Sequence, residues 1–196
     1  LKTPLALIRA QIEVGGEGTQ HRDALLADVA YMTRQVQQLL LLAEASETHN
    51  YQFGTVQVRE MAGEAVAYLQ RMAEAADVRL VVSADADGVV WRAARGALFT
   101  LLKNLLENAI QHAPAQTVVH VEVLRDVLTV RDWGPGVDGA QLPLLFERFW
   151  RGAHRRDHGA GLGLAICQEI AQAHGWYLSA ERAEPGLRFR LSHAPV

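Results

Sequence analysis

The apolar residues at the start of the chain recur at helical spacing. Leu1, Leu5, Ile8 and Ile12 are four, three and four positions apart, which predicts one face of a helix over residues 1–14. A glycine-rich stretch at residues 15–18 interrupts the pattern and predicts a turn.

A second helix is predicted from His21 to about Glu47. Its apolar positions alternate spacings of four and three, as in a coiled-coil seam, and they are Leu25, Val29, Met32, Val36 and Leu39. We expect the two helices to form an antiparallel hairpin. Because a hairpin cannot bury both seams alone, we expect two copies to pair in a four-helix bundle. The alternative is that the seams pack on the rest of the same chain.

The pattern changes after a polar stretch at residues 48–52, which predicts a linker between two domains, 1–49 and 53–196. Helices are predicted at 59–76, 93–112 and 162–174, and strands at 53–58, 78–83, 89–91, 117–124, 126–131, 176–182 and 187–192. Strands clustered among helices, with hairpins near the end, predict an α+β fold in which one mixed sheet is covered by helices on one face. Gly175 is expected to end the last helix.

Composition narrows the function classes. The net charge of −3 does not favour binding to nucleic acid or to an anionic membrane surface. The single cysteine, Cys167, excludes an intramolecular disulfide framework, and its apolar neighbours predict a core position. No apolar stretch approaches the ~20 residues that a transmembrane helix needs. The chain starts without Met inside a helical pattern, so we expect a fragment of a longer protein.

Two glycine clusters lie on either side of a basic segment in the last third of the chain. One cluster follows a strand-like run and the other opens a helix-like run; together they comprise Gly134, Gly136, Gly159, Gly161 and Gly163. Glycines let a backbone approach a ligand closely, and a helix start presents free N–H groups to an anion. With the arginines between them, the clusters predict a nucleoside triphosphate under a flexible lid at about residues 137–158.

Polar side chains also line one face of the predicted helix upstream. Asn104 and Asn108 are four residues apart and lie near Gln111 and His112. Asparagine is a poor helix former, so two of them in an apolar helix need a reason. An amide oxygen can bind Mg²⁺, which prefers oxygen ligands. The alternatives are solvated asparagines and a histidine that interacts with the helix dipole.

Five short motifs occur along the chain, and they are Leu1-Lys-Thr3-Pro4, Asn104-Leu-Leu-Glu-Asn108-Ala, Asp132-Trp-Gly134-Pro-Gly136, Phe146-Glu-Arg148-Phe149-Trp-Arg151, and Gly159-Ala-Gly161-Leu162-Gly163-Leu164. Their order is the one found in sensor histidine kinases, and the chain resembles that family over its whole length. In the family, the first motif follows the phosphoacceptor histidine. The resemblance implies ATP and Mg²⁺ as cofactors.

The resemblance also implies a role for each polar residue. Asn108 would bind Mg²⁺, Asn104 would lie beside the phosphates, and Asp132 would accept a hydrogen bond from the exocyclic amine of adenine. His112 stands where an aromatic or basic residue commonly contacts the nucleotide. Gln111 departs from the family, since many relatives carry a lysine or arginine near there, and an arginine of the lid would have to substitute for that charge.

In the lid, the resembling motif predicts two kinds of contact. Phe146 and Phe149 are expected to anchor the lid through apolar burial, and Arg148 and Arg151 are expected to reach phosphate, which a guanidinium can bind bidentately. Residues 159–164, with their glycines and leucines, would bind the nucleotide. Thr3 stands where the family often places a residue that assists dephosphorylation.

Position 104 distinguishes between activities. In the wider superfamily, gyrase and the Hsp90 chaperones carry a glutamate there that activates water, whereas the amide of Asn104 cannot act as a general base. We therefore expect slow hydrolysis and transfer to a histidine. That histidine precedes Leu1 in the family, so this chain is not expected to phosphorylate itself. An ATP-hydrolysing enzyme and a non-catalytic binding module remain as alternatives.

The resemblance further implies the partners and location of the protein. The partners would be a response-regulator receiver domain and a second copy of the chain, without nucleic acid. The chain would be the cytoplasmic part of a protein anchored in the bacterial inner membrane.

Overall fold

The computed structural model describes residues 19–46, 51–84, 88–150 and 161–193. The first predicted helix, the turn after it and part of the predicted lid therefore lie outside the described residues. Contacts within the chain divide it into two units, between Leu41 and Leu42. None of the described helices is long and apolar enough to cross a membrane.

Helix α1 runs from Thr19 to Ser46 and carries the predicted seam. The seam is only partly covered within the chain, since the side chains of Val29 and Val36 are 50% and 44% exposed. Near the end of the helix, Leu42 and Ala45 are buried. Two of the five seam positions of α1 are thus exposed, and the other three, Leu25, Met32 and Leu39, are half-buried.

A five-stranded mixed sheet forms the larger part of the second unit, which confirms the predicted α+β class. The strands lie in the order β2-β4-β5-β7-β6, and β2 pairs with β4 in parallel while the other three pairings are antiparallel. Their bounds are Arg79–Ala84 for β2, Val118–Val123 for β4, Val127–Arg131 for β5, Tyr177–Arg182 for β6 and Leu187–Ser192 for β7. Both predicted hairpins, β4–β5 and β6–β7, are confirmed.

The prediction of a single sheet is wrong for the remaining two strands. Strands β1 (Phe53–Gln57) and β3 (Val90–Ala94) pair with each other in a separate two-stranded antiparallel sheet. Each of them runs directly into a helix, at Val58 and at Arg95. The pair therefore ties the starts of two helices together and does not extend the larger sheet.

Three helices cover one face of the five-stranded sheet. They are α2 (Val58–Ala75), α3 (Arg95–His112) and α4 (Gly163–Ala173). On the sheet side, alternate residues of β4 are buried, as expected for a strand with one covered face. Helix α3 packs against both other helices and is the most buried, with Leu98, Leu101, Leu102, Leu105, Leu106, Ala109 and Ile110 inside the core.

Helix α4 ends in a Schellman motif, which confirms the predicted role of Gly175. The N–H of Gly175 donates to the carbonyl of Gln172 at 3.0 Å, and the N–H of Trp176 donates to that of Ala171 at 2.8 Å. Gly175 has a φ of +68°, a conformation that glycine adopts without strain. The same turn places His174 at the start of α3.

His174 is held as a neutral ring. Its Nε2 accepts a hydrogen bond from the backbone N–H of Ala94 at 3.0 Å, so Nδ1 carries the proton and donates to the carbonyl of Ile170 at 2.8 Å. Burial lowers the pKa of His174, and the Ile170 carbonyl opposes this in part. The ring also contacts Trp176, with 4.3 Å between the ring centroids. A second proton would break the bond to Ala94.

We expect His174 to make the stability of the fold sensitive to acid. Because its pKa in the folded state lies below the ordinary value of 6.5, its contribution is complete above pH 6.5 and is lost as pH falls through the folded pKa. One such group contributes at most about 1.4 kcal/mol per pH unit. His174→Gln should reduce the fall in the urea unfolding midpoint between pH 7.5 and 5.5. His193→Gln, in the same aromatic cluster, is the control and should retain it.

Candidate functional site

The carboxylate of Asp132 lies at the end of β5 and is fixed by backbone donors. Its side chain is buried, and the residue is 2% exposed. The N–H of Gly134 donates to Oδ1 at 2.7 Å, and that of Leu187 donates to the same oxygen at 3.4 Å. The N–H of Asp132 itself donates to the carbonyl of Leu187 at 3.0 Å. The carboxylate therefore has one orientation.

Burial raises the pKa of Asp132 above its ordinary value of 3.8. The hydrogen bonds from Gly134 and Leu187 and the charge of His112 act in the opposite direction but do not cancel the effect of burial. The charged form is therefore poorly solvated. A carboxylate in this state gains more from a ligand donor than an exposed one would.

The backbone packs closely around this carboxylate. One of the residues in that packing, Gly186, was not predicted from the sequence. Gly186, in the β6–β7 turn, has a φ of +98°, and a Cβ there would overlap the carbonyl of Asp132. A Cβ on Gly136 would lie 3.2 Å from the carbonyl oxygen of Gly186. The only signal in the sequence was the Glu184-Pro-Gly turn, which indicated a hairpin and not a site.

The end of α3 meets the same loop. A Cβ on Gly134 would lie 2.6 Å from the carbonyl oxygen of His112, so the backbone at position 134 can only be that of glycine. His112 is half-buried and Gln111 is exposed. The structure thus brings Asp132, Gly134, Gly136 and His112 together.

Asn104 forms a second centre, at the start of α4. The residue is 8% exposed, and its Nδ2 is buried with no hydrogen-bond partner among the described residues. A Cβ on Gly163 would lie 3.8 Å from the Asn104 side chain. An unpaired buried amide is costly, and here it lies beside the free N–H groups of a helix start. That combination suits an anionic ligand.

Cys167 lies beneath Asn104, and its predicted core position is confirmed. Its Sγ donates to the carbonyl of Leu101 at 3.5 Å, and the residue is fully buried. Burial raises the pKa of the Cys167 thiol far above its ordinary value. The thiol is therefore uncharged and belongs to the packing of α3 on α4.

Helix α3 connects the two centres. Asn104 and His112 are eight residues apart, or about 12 Å along the helix axis. Asn108 lies between them and is half-buried. The described residues contain no group of three His, Cys, Asp or Glu side chains that could hold a metal ion. A metal at Asn108 would thus be bound mainly by ligand oxygens and water, which fits Mg²⁺.

The described part of the predicted lid corrects one expectation. A 3₁₀ helix spans Gly139–Phe146, and its buried residue is Leu145. Phe146 is half-buried and contacts the ring of Phe189, with 6.3 Å between centroids. Phe149 is 59% exposed, so it does not anchor the lid by burial. Its backbone has a φ of +66°, and this conformation turns its N–H toward the carbonyl of Gly161, at 2.8 Å.

Gly161 is where the lid backbone meets the start of α4. It has a φ of +68°, and a Cβ there would lie 2.6 Å from the carbonyl oxygen of Trp150. Leu162 is the N-cap residue of α4 and is buried, and Leu164 is half-buried. Glycine at 161 is therefore required by contact with the lid.

Arg148 is engaged with a carboxylate of α4. Its Nη2 lies 2.7 Å from Oε1 of Glu169. The predicted site residues Thr3, Arg151 and Gly159 lie outside the described residues.

Comparison with known proteins identifies the fold and the family. Residues 93–196, more than half of the chain, match the family described as "Histidine kinase-, DNA gyrase B-, and HSP90-like ATPase". Sensor protein QseC of Salmonella typhi is 34% identical over 194 residues, a match covering 95% of this chain and 43% of that protein. The chain thus spans less than half the length of this relative.

The solved structures that are similar to the chain include two histidine kinases. The cytoplasmic segment of histidine kinase QseC has a TM-score of 0.62 at 26% identity, and the match covers 84% of this chain and 93% of that one. Histidine kinase ThkA, solved in complex with the response regulator TrrA, has a TM-score of 0.78 at 18% identity, with 97% and 57% covered.

The matched family includes α3, the Asp132 loop and the start of α4, which are the elements that form the two centres. Membership of an ATPase family implies ATP binding. The chain belongs to the histidine kinase-, DNA gyrase B- and HSP90-like ATPases and, within them, to the sensor histidine kinases of two-component systems.

Proposed function

We propose that this chain binds Mg-ATP and is the part of a protein-histidine kinase that delivers the γ-phosphoryl group. The acceptor would be a histidine that the family resemblance places just before Leu1. The phosphoryl group would then pass to an aspartate of a response regulator. The proposed domains are a helical hairpin over 1–49 and an ATP-binding domain over 53–196.

The environment of the Asn104 side chain is the main observation that supports this proposal. Its buried Nδ2 has no partner in the described protein, and it lies beside the start of α4. A phosphate oxygen would satisfy this donor. Because an amide has no useful basicity, Asn104 cannot activate water, so the bound triphosphate is held for transfer to another acceptor.

Asp132 supports adenine as the base. Its orientation is set by Gly134 and Leu187 before any ligand arrives, so binding requires no rearrangement of the carboxylate. A fixed acceptor fits the exocyclic amine of adenine, and glycine at 136 lets the backbone pack closely against that of Gly186 in the same loop cluster. His112, at the end of α3, would contact the same nucleotide.

The phosphates would lie at the start of α4, over residues 159–164. The N–H groups there favour an anion, and Arg148, Arg151 and Gln111 would add donors from the lid and from α3. Asn108 would hold Mg²⁺ through its amide oxygen. The bound ion would neutralise phosphate charge, and the contribution of the protein is mainly positioning.

The partners follow from the same reading. The exposed seam positions Val29 and Val36 support a homodimer through the helical hairpin. ThkA is solved with a response regulator, and we propose that this chain also recognises a receiver domain, with Thr3 assisting dephosphorylation. We place the chain on the cytoplasmic side of a bacterial inner membrane.

The direct test uses a longer version of the protein that begins upstream of Leu1 and includes the histidine. It is incubated with γ-labelled ATP and Mg²⁺, and bound label is tested for acid lability and alkali stability. We expect acid-labile label on the protein that is lost in Asn108→Ala. Free phosphate without labelled protein would instead indicate an ATPase. Absence of both turnover and nucleotide binding would indicate a binding module.

Asp132→Asn should separate binding from stability. The amide keeps an acceptor for Gly134 but presents a donor to adenine, so ATP affinity should fall about ten- to a hundredfold. The raised pKa means that ionised Asp132 costs folding free energy above its folded pKa, and this cost disappears in acid. At pH 7.5 the urea midpoint of the variant should therefore be equal or higher. Asp126→Asn, in the exposed β4–β5 turn, should change neither calorimetric affinity nor midpoint.

Gly186→Ala should damage the same site through the backbone. The added Cβ would displace the carbonyl of Asp132, so we expect a loss of at least about 2 kcal/mol of stability together with weaker ATP binding. Thermal unfolding and calorimetry measure the two effects. Gly139→Ala, where a Cβ meets open space, is the matched control. Normal ATP affinity in Gly186→Ala would refute the positioning role of this turn.

A further inference from the structure

Arg148 lies where the lid joins the start of α4. The next residue, Phe149, donates its N–H to the carbonyl of Gly161, and Trp150 packs against the same glycine. The backbone at Arg148 is thus held close to the helix start that would receive the phosphates. Its side chain, however, is paired with Glu169, at 2.7 Å.

Glu169 lies further along α4 than the proposed phosphate site. It follows Gly163 by six residues, which is about 9 Å along the helix axis. The ion pair therefore draws the guanidinium along α4, away from the free N–H groups at its start. Arg148 has to leave Glu169 before it can place its guanidinium on a phosphate there.

We propose that Glu169 competes with the triphosphate for Arg148, holding the guanidinium when the nucleotide site is empty and losing it when ATP binds. This inference rests on the proposed function, because it assigns the phosphate as the second partner of Arg148. Glu169 acts through Arg148 and is a positioning residue.

The energetics favour such an exchange. More than half of the Arg148 side chain is exposed, and an exposed ion pair changes an equilibrium constant by a factor of only about two to five. A triphosphate carries more negative charge than one carboxylate and can accept two parallel hydrogen bonds from a guanidinium. The pair is thus strong enough to orient Arg148 and weak enough to be displaced.

Glu169→Gln tests the competition in this chain. Calorimetry would measure the affinity for a non-hydrolysable ATP analogue with Mg²⁺ and, separately, for adenosine. We expect the analogue to bind about two- to fivefold more tightly, since Arg148 is released, and adenosine affinity to stay unchanged. Glu147→Gln is the control, because it removes the same charge beside Arg148 without breaking an ion pair among the described residues. It should have a smaller effect on the analogue than Glu169→Gln.

The same substitution in a protein that lacks Arg148 tests whether Glu169 acts through Arg148. Arg148→Gln should weaken binding of the analogue, and adding Glu169→Gln to it should have no further effect. An equal gain from Glu147→Gln and Glu169→Gln, or a gain that persists without Arg148, would overturn the proposal. Unaltered protein that binds neither ligand would refute the proposed function as well. If the unaltered protein binds the analogue and Glu169→Gln does not change that affinity, the competition is refuted and the proposed function stands.

Discussion

The position of the Asp132 carboxylate depends on the register between strands β5 and β7. Leu128 lies opposite Leu191 and Val130 opposite Phe189, and all four side chains are in the core. A slip of one residue would turn these side chains to the other face of the sheet. It would also separate Asp132 from Leu187. The burial of four apolar residues therefore fixes the position of the Asp132 carboxylate.

The two centres share an energetic property. Asp132 is a poorly solvated carboxylate, and Asn104 has a buried donor with no hydrogen-bond partner in the part of the chain that the structure describes. Each reduces the stability of the empty fold, and the surrounding core of α3, α4 and the sheet offsets this cost. A ligand that supplies a donor to one and an acceptor to the other relieves both. Part of the cost of burying these polar groups is thus met when the protein folds, and a ligand that pairs with them binds more tightly for that reason.

The sequence predicted the helices and strands better than it predicted the contacts between residues that are far apart in the chain. Strong periodicity located α3 and the hairpins to within a few residues, and the motifs identified Asn104 and Asp132. Residue type did not predict that Phe149 is exposed, because its burial depends on a positive φ that the pattern does not encode. The contacts of Gly186 with Asp132 and of Arg148 with Glu169 join residues far apart in the chain. Such contacts follow from the assembled sheet and helices and have no local signal.

The reactivity of Cys167 can be used to measure how often the interface between α3 and α4 opens. Cys167 is the single cysteine of the sequence, it is fully buried, and its thiol is uncharged. A thiol reagent can modify it only after the two helices separate, since the thiolate is the reactive form and the packed site offers no access to it. The rate at which a thiol reagent labels the protein therefore reports how often the α3–α4 packing beneath Asn104 opens, with no need to introduce a cysteine.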